Sequence, residues 1–193
     1  MSDVTEIYYA FKNTKLSALD IEDLNVTATS ISNTFSWCAY LSAVKLPLFS
    51  NATNMGYAFL SSGIGNVSIN AGSGVTTISN MFASCANLEF VDISGTEITS
   101  ALTDISFFMN GAGSNITLKI GLFDLSGVSN SSVHNMDKVT TLICTTATPQ
   151  NSAMFTYLTA LTAIYVPDAA EADYKSAWSG KAGIIHKISE YTE

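Results

Sequence analysis

Residues 31–47 read ISNTFSWCAYLSAVKLP, and residues 78–94 read ISNMFASCANLEFVDIS. Eight of the 17 aligned positions are identical, and a ninth exchanges Leu46 for Ile93. An offset of 47 residues points to a half-period near 23, and that half-period runs along the chain. The ending L-x-x-V-x-I recurs as Leu16/Leu19/Ile21, Leu41/Val44/Leu46, Ile64/Val67/Ile69 and Leu88/Val91/Ile93. It returns as Val139/Leu142/Cys144 and Leu161/Ile164/Val166, and a degenerate copy places Ile116 and Leu118 at its last two positions. The final residues are then 21, 46, 69, 93, 118, 144 and 166.

An apolar anchor precedes each ending. Phe35, Phe82, Val133 and Phe155 each stand six residues before the Leu-type position; Phe11 stands five before Leu16. Tyr57 and Phe59 flank the slot in the third copy, which predicts a one-residue irregularity there. The V-x-I ending has the period of two and the β-branched content of a short strand, and the Ser/Thr/Asn/Gly stretches after it are turns. A single coil of 22–26 residues cannot bury its own apolar face, whereas stacked coils bury a continuous core. Stacking puts the strands in parallel, about 4.8 Å apart. Cys38 and Cys85 fill one slot two coils apart, about 9.6 Å, which is beyond disulfide reach. Cys144 makes the count odd and no C-x-x-C occurs, so three free, buried thiols are expected.

These units resemble the BspA-type leucine-rich repeats of bacterial surface proteins. The family pattern, near I-x-x-M-F-x-x-C-x-x-L-x-x-I-x-L-P, is followed by Ile78, Met81, Phe82, Cys85, Leu88, Val91 and Ile93, and Leu46-Pro47 and Val166-Pro167 match its ending. The resemblance covers roughly residues 8–190. It implies an α/β leucine-rich-repeat solenoid of about seven coils over 1–167, with short parallel strands and a helical C-terminal cap over 168–193. In function it implies a non-enzymatic protein-interaction or adhesion module, whose partner is a protein or glycan on a host or neighbouring cell.

Within the cap, Asp168 and Glu171 read as a capping box, with a helix over 169–178 and a C′ glycine at Gly180. Tyr174 and Trp178 share one helical face, Glu171 and Lys175 are spaced to pair, and residues 183–188 read as an edge strand.

Composition narrows the function. Only 12% of the 193 residues are charged, against roughly 25% in an ordinary domain. Ser, Thr and Asn together make 60. The net charge is −8, so phosphate backbones and anionic lipid are poor partners, and no apolar run is long enough to span a membrane. MSDVTEIYYAF has neither the basic nor the apolar region of a secretory signal. The chain is therefore expected at the cell surface if a signal has been removed. The other reading of the N-terminus, which Met1 favours, is a protein made and used without classical export. The alternative function is a structural part of a phage particle, such as a fibre or decoration domain, which the missing export signal and the low charge fit.

No catalytic constellation emerges. Gly63-Ile64-Gly65 lacks the third glycine and the helix of a dinucleotide loop and reads as a turn. His134 and His186 have no carboxylate or Cys at ligand spacing, so neither a metal nor a cofactor is expected. Asp20 and Asp92 lie three coils apart, farther than a glycosidase pair. The sequons at Asn25, Asn51, Asn66, Asn115 and Asn130 read as turn polarity. One surface remains, the outward row Asp20, Lys45, Ser68, Asp92, Thr117, Ile143 and Tyr165, beside a second row that contains Asn115 and Phe90. Lys45, Phe90, Asp92, Ile143 and Tyr165 are its candidate partner residues; Phe90, Ile143 and Tyr165 are expected to face water. An oligomer is compatible with such a face.

Overall fold

A computed structural model describes residues 3–128, 135–150 and 152–192 of the chain. Val133, His134 and Asn130 lie outside the described residues. The V-x-I endings form the strands β1 (Ala18–Asp20), β2 (Ala43–Lys45), β4 (Asn66–Ser68), β6 (Phe90–Ile93), β7 (Ile116–Ile120), β8 (Val139–Cys144) and β9 (Ala163–Val166). β1 pairs with β2, and β4, β6, β7, β8 and β9 pair successively in parallel, with β10 (Ile185–Lys187) closing the far edge. Val67, Val91, Leu118, Leu142 and Ile164 point inward and are buried, as the period of two requires. Two further strands, β3 (Leu48–Phe49) and β5 (Asn70–Ala71), pair in parallel on a second side.

Each of the first five coils carries its anchor in an arc of tight turns. Phe11, Phe35, Phe59, Phe82 and Phe108 form a continuous spine, with successive ring centroids 5.0–5.6 Å apart. Phe59, not Tyr57, is the third anchor, because the arc is one residue nearer its strand in that coil. The backbone N–H groups of Phe35, Phe59 and Phe82 donate to the carbonyls of Ala58, Met81 and Phe108 in the next coil.

The abundance of Ser, Thr and Asn has a structural cause. Ser30, Asn54, Thr77 and Asp104 are bridged in parallel, and each side chain accepts the N–H two residues on, at 2.9–3.2 Å. Beside them, the hydroxyls of Thr53, Thr76 and Thr103 donate to the carbonyls of Thr29, Thr53 and Thr76 one coil earlier. Short polar side chains thus give partners to the N–H groups of the arcs, and the threonine hydroxyls add a second donor to carbonyls that already accept N–H groups of the next coil. Gly63 and Gly113 fit the same logic: a Cβ on either would collide with the Ala39 or Leu88 carbonyl of the preceding coil. Within Gly63-Ile64-Gly65, Gly63 is thus required by close packing between coils; residues 63–64 are irregular and Gly65 is a bend.

The expected register fails in the fifth coil. Leu118 and Ile120, not Ile116 and Leu118, pair with Val91 and Ile93. The coil is lengthened ahead of its arc: Asp104 follows Ile93 by 11 residues, whereas its bridged counterparts Asn54 and Thr77 follow Leu46 and Ile69 by 8. Asn115 lies just before β7 at φ 59°. The outward row therefore contains Lys119 where Thr117 was expected, and Thr117 takes the place of Asn115 in the second row.

The C-terminal end also departs in detail. A 3-10 turn over Asp168–Ala170 precedes the helix α1 (Glu171–Ala177). Asp168 caps no helical N–H, because its carboxylate binds the Ser189 N–H at 3.1 Å and hydroxyl at 2.7 Å. Gly180 lies inside the 3-10 segment Ser179–Ile184 and not in a left-handed C′ position. The edge strand is confined to β10, since residues 183–184 belong to that segment. Tyr174 and Trp178 are buried, and Lys175 pairs with Glu171 at 2.6 Å. Phe155 is only half-buried, because Met154 and Leu158 fill the interior and leave its ring edge-on to Trp178 at 4.8 Å. All three cysteines are free and buried.

Candidate functional site

The outer strand face brings the five candidate residues onto one side of the stack but does not make one free patch of them. Lys45 pairs with Asp20 at 2.9 Å on the exposed β1–β2 end. Asp92 accepts the Lys119 ammonium at 2.8 Å, the Ser94 N–H at 2.9 Å and the Ser94 hydroxyl at 2.6 Å. Partial burial pushes the Asp92 carboxyl up, but Lys119 and Ser94 together hold it below its ordinary value.

Ile143, expected to face water, is only 3% exposed. It sits between Lys119 and Tyr165 in register. Tyr165 is half-buried against His186 at 5.6 Å and Tyr191 at 5.0 Å. Tyr191 also lines a shallow groove with Asn66, Glu89, Phe90 and Thr117, and Phe90 is half-buried. The C-terminal segment thus reaches back over the middle of this face.

Exposed aromatics gather elsewhere, on the arcs. Two positions per coil, four residues apart, are left-handed. The first row is Tyr9, Asn33, Tyr57, Asn80 and Phe107, with φ of 53–61°. The second is Asn13, Trp37, Ser61, Ser84 and Gly111, with φ of 54–66°. Interstrand-like bonds set the register: the N–H groups of Tyr9, Asn33, Tyr57 and Asn80 donate to the carbonyls of Ser32, Gly56, Ser79 and Ser106. Tyr9, Trp37, Tyr57 and Phe107 are 50%, 53%, 40% and 42% exposed. Asn and Gly are the residues that tolerate this conformation, and bulky aromatics are unusual in it.

The sequence reading passed over this row. Its signal was the recurrence of Tyr9, Tyr57 and Phe107 at two-coil intervals, masked by neighbouring anchor residues of the same type.

Little reactive chemistry accompanies these surfaces. Burial raises the Cys85 thiol, and pushes that of Cys144 to about 12, so both stay protonated. Among the described residues, no three His, Cys, Asp or Glu side chains cluster to hold a metal, and no helix is long and apolar enough to cross a membrane.

A family model for the BspA type leucine rich repeat region matches residues 5–120, in six copies. No curated protein matches the chain.

Proposed function

Because the chain belongs to the BspA-type leucine-rich repeat family, we propose that it is a non-enzymatic interaction module displayed at a bacterial cell surface, where its solenoid attaches the cell to a neighbouring surface. The exposed aromatic row on the arcs carries this reading. Tyr57, Phe107 and Trp37 take up a disfavoured backbone conformation and yet leave much of their area in water. The same slots in other coils are filled by Asn33, Asn80 and Gly111, which suit that backbone. Folding alone therefore gives no reason for aromatics here, whereas contact with a partner does. The outer strand face is a weaker candidate, since ion pairs and the C-terminal segment occupy much of it.

The test is retention of beads coated with the chain on immobilised host-cell and bacterial-cell surfaces. Tyr57→Asn with Trp37→Ser should abolish retention, and Lys45→Ser should leave it intact. Retention that survives the aromatic substitutions but fails on Lys45→Ser would move the site to the strand face. Absence of retention on every surface would sink the adhesive reading.

A further inference from the structure

The aromatic row also specifies a ligand class, an inference that rests on the reading above. We infer that it binds an extended, uncharged β-1,4-linked polysaccharide, laid along the stacking direction of the coils. The first support is periodicity. Tyr9, Tyr57 and Phe107 recur in every second coil of one row. Spine rings one coil apart are separated by 5.0–5.6 Å, so residues two coils apart are about 10 Å apart. In a β-1,4-linked chain each sugar is turned over relative to the last, so the same apolar ring face recurs with every disaccharide, at closely this interval. A flat aromatic surface beneath every second sugar is the geometry that such a chain requires.

The second support is the composition between the rings. Asn33 and Asn80 stand in the same row between the aromatics, where amides can donate to and accept from sugar hydroxyls. Ser61 and Ser84 flank them in the second row, next to Trp37.

The third support is charge. From Leu24 to Leu88 the only charged residue is Lys45, and it lies on the strand face, paired with Asp20. The arcs of the second, third and fourth coils therefore present neither sign of charge, which suits a neutral chain; the arc of Phe107 adds one carboxylate, Asp104, which is partly buried and taken up by the Ser106 N–H and the Thr77 hydroxyl. Tyr9 marks one end of the platform, because the Lys12 ammonium already lies 4.7 Å from its ring centre. Tyr57 and Phe107 are the two principal stacking surfaces.

The experiment is calorimetric titration of the full chain with cellohexaose, chitohexaose and, as the α-1,4-linked control, maltohexaose. Binding of at least one β-1,4 hexasaccharide is expected, with none of maltohexaose. Tyr57→Asn and Phe107→Asn should each weaken it about tenfold, and Tyr57→Phe should retain it. Asn is the residue that other coils use in this slot, so thermal melting of both Asn variants should match or exceed that of the parent, which separates lost stacking from lost folding. Binding unaffected by either Asn substitution overturns the assignment, as does equal binding of maltohexaose. If neither β-linked probe binds while beads are still retained in a Tyr57-dependent way, the ligand class is wrong and the adhesive reading stands.

Discussion

The sulfur of Cys85 lies 2.9 Å from the carbonyl oxygen of Phe59, one coil earlier, and donates its S–H to it. That oxygen also accepts the Ser62 N–H, so both of its lone pairs are used. Cys38 repeats the arrangement on the Phe11 carbonyl, again at 2.9 Å, alongside the Thr14 N–H. The recurring cysteine is thus a hydrogen-bonding pin between coils.

Cys85→Ala should cost about 1–2 kcal/mol, from one lost bond and the sulfur's packing, and Cys85→Ser should recover part of it. The native protein at pH 8 should alkylate slowly at Cys85 and Cys144, whose thiols burial keeps protonated. Denatured, unreduced protein should show three alkylatable thiols by mass spectrometry. An intramolecular disulfide would contradict the coil spacing.

Phe82 and Phe155 occupy equivalent slots in sequence but not in space. Phe82→Ala removes a fully buried member of the spine and should cost about 3–5 kcal/mol. Phe155→Ala should cost clearly less, about 1–2 kcal/mol, because its ring is only partly buried. Urea unfolding of the two variants checks the order; equal losses would place Phe155 in the core.

Acid should weaken the protein partly through Asp92. Its carboxyl titrates below the ordinary range in the folded chain, so its contribution is fully present above that range and disappears as pH falls through the lowered value. Asp92→Asn should lower stability by about 1–2 kcal/mol at neutral pH. The gap from the parent should close as the pH falls below the ordinary Asp range and through the lowered value. A gap that stayed constant over this range would show that the Lys119 and Ser94 contacts contribute nothing through charge.

The C-terminal segment should be required for a soluble stack. The Tyr174 hydroxyl bonds Thr146 and Thr148, and the Trp178 indole N–H donates to the Gln150 carbonyl at 2.9 Å. Removing residues 168–193 uncovers Leu161, Ile164 and the β9 edge, and should give aggregation or end-to-end association on size exclusion. Trp178→Ala should lower the thermal midpoint by several degrees. A truncated chain that remained monomeric and equally stable would contradict this role.

The repeat period, six of the seven strand endings, the anchors Phe35 and Phe82 and the recurring Cys38 and Cys85 were legible in the sequence. Each is a local demand, namely an alternating inward residue, a ring for the spine or a donor for a carbonyl. Every coil poses that demand in the same way, so it leaves a periodic trace. The slip in the fifth coil left no such trace, because Ile116, Leu118 and Ile120 alternate identically in either frame and only pairing with Val91 and Ile93 selects between them. Asp168 likewise satisfies a local capping rule, but it is claimed by Ser189, a residue that folding brings beside it. The burial of Ile143 and the covering of the strand face by Tyr191 depend on neighbours from other coils. The aromatic row was decided at the same level. Whether Tyr57 or Phe59 enters the spine is set by how the arc stacks on the coils beside it, and only the stacked molecule shows which ring is left outside.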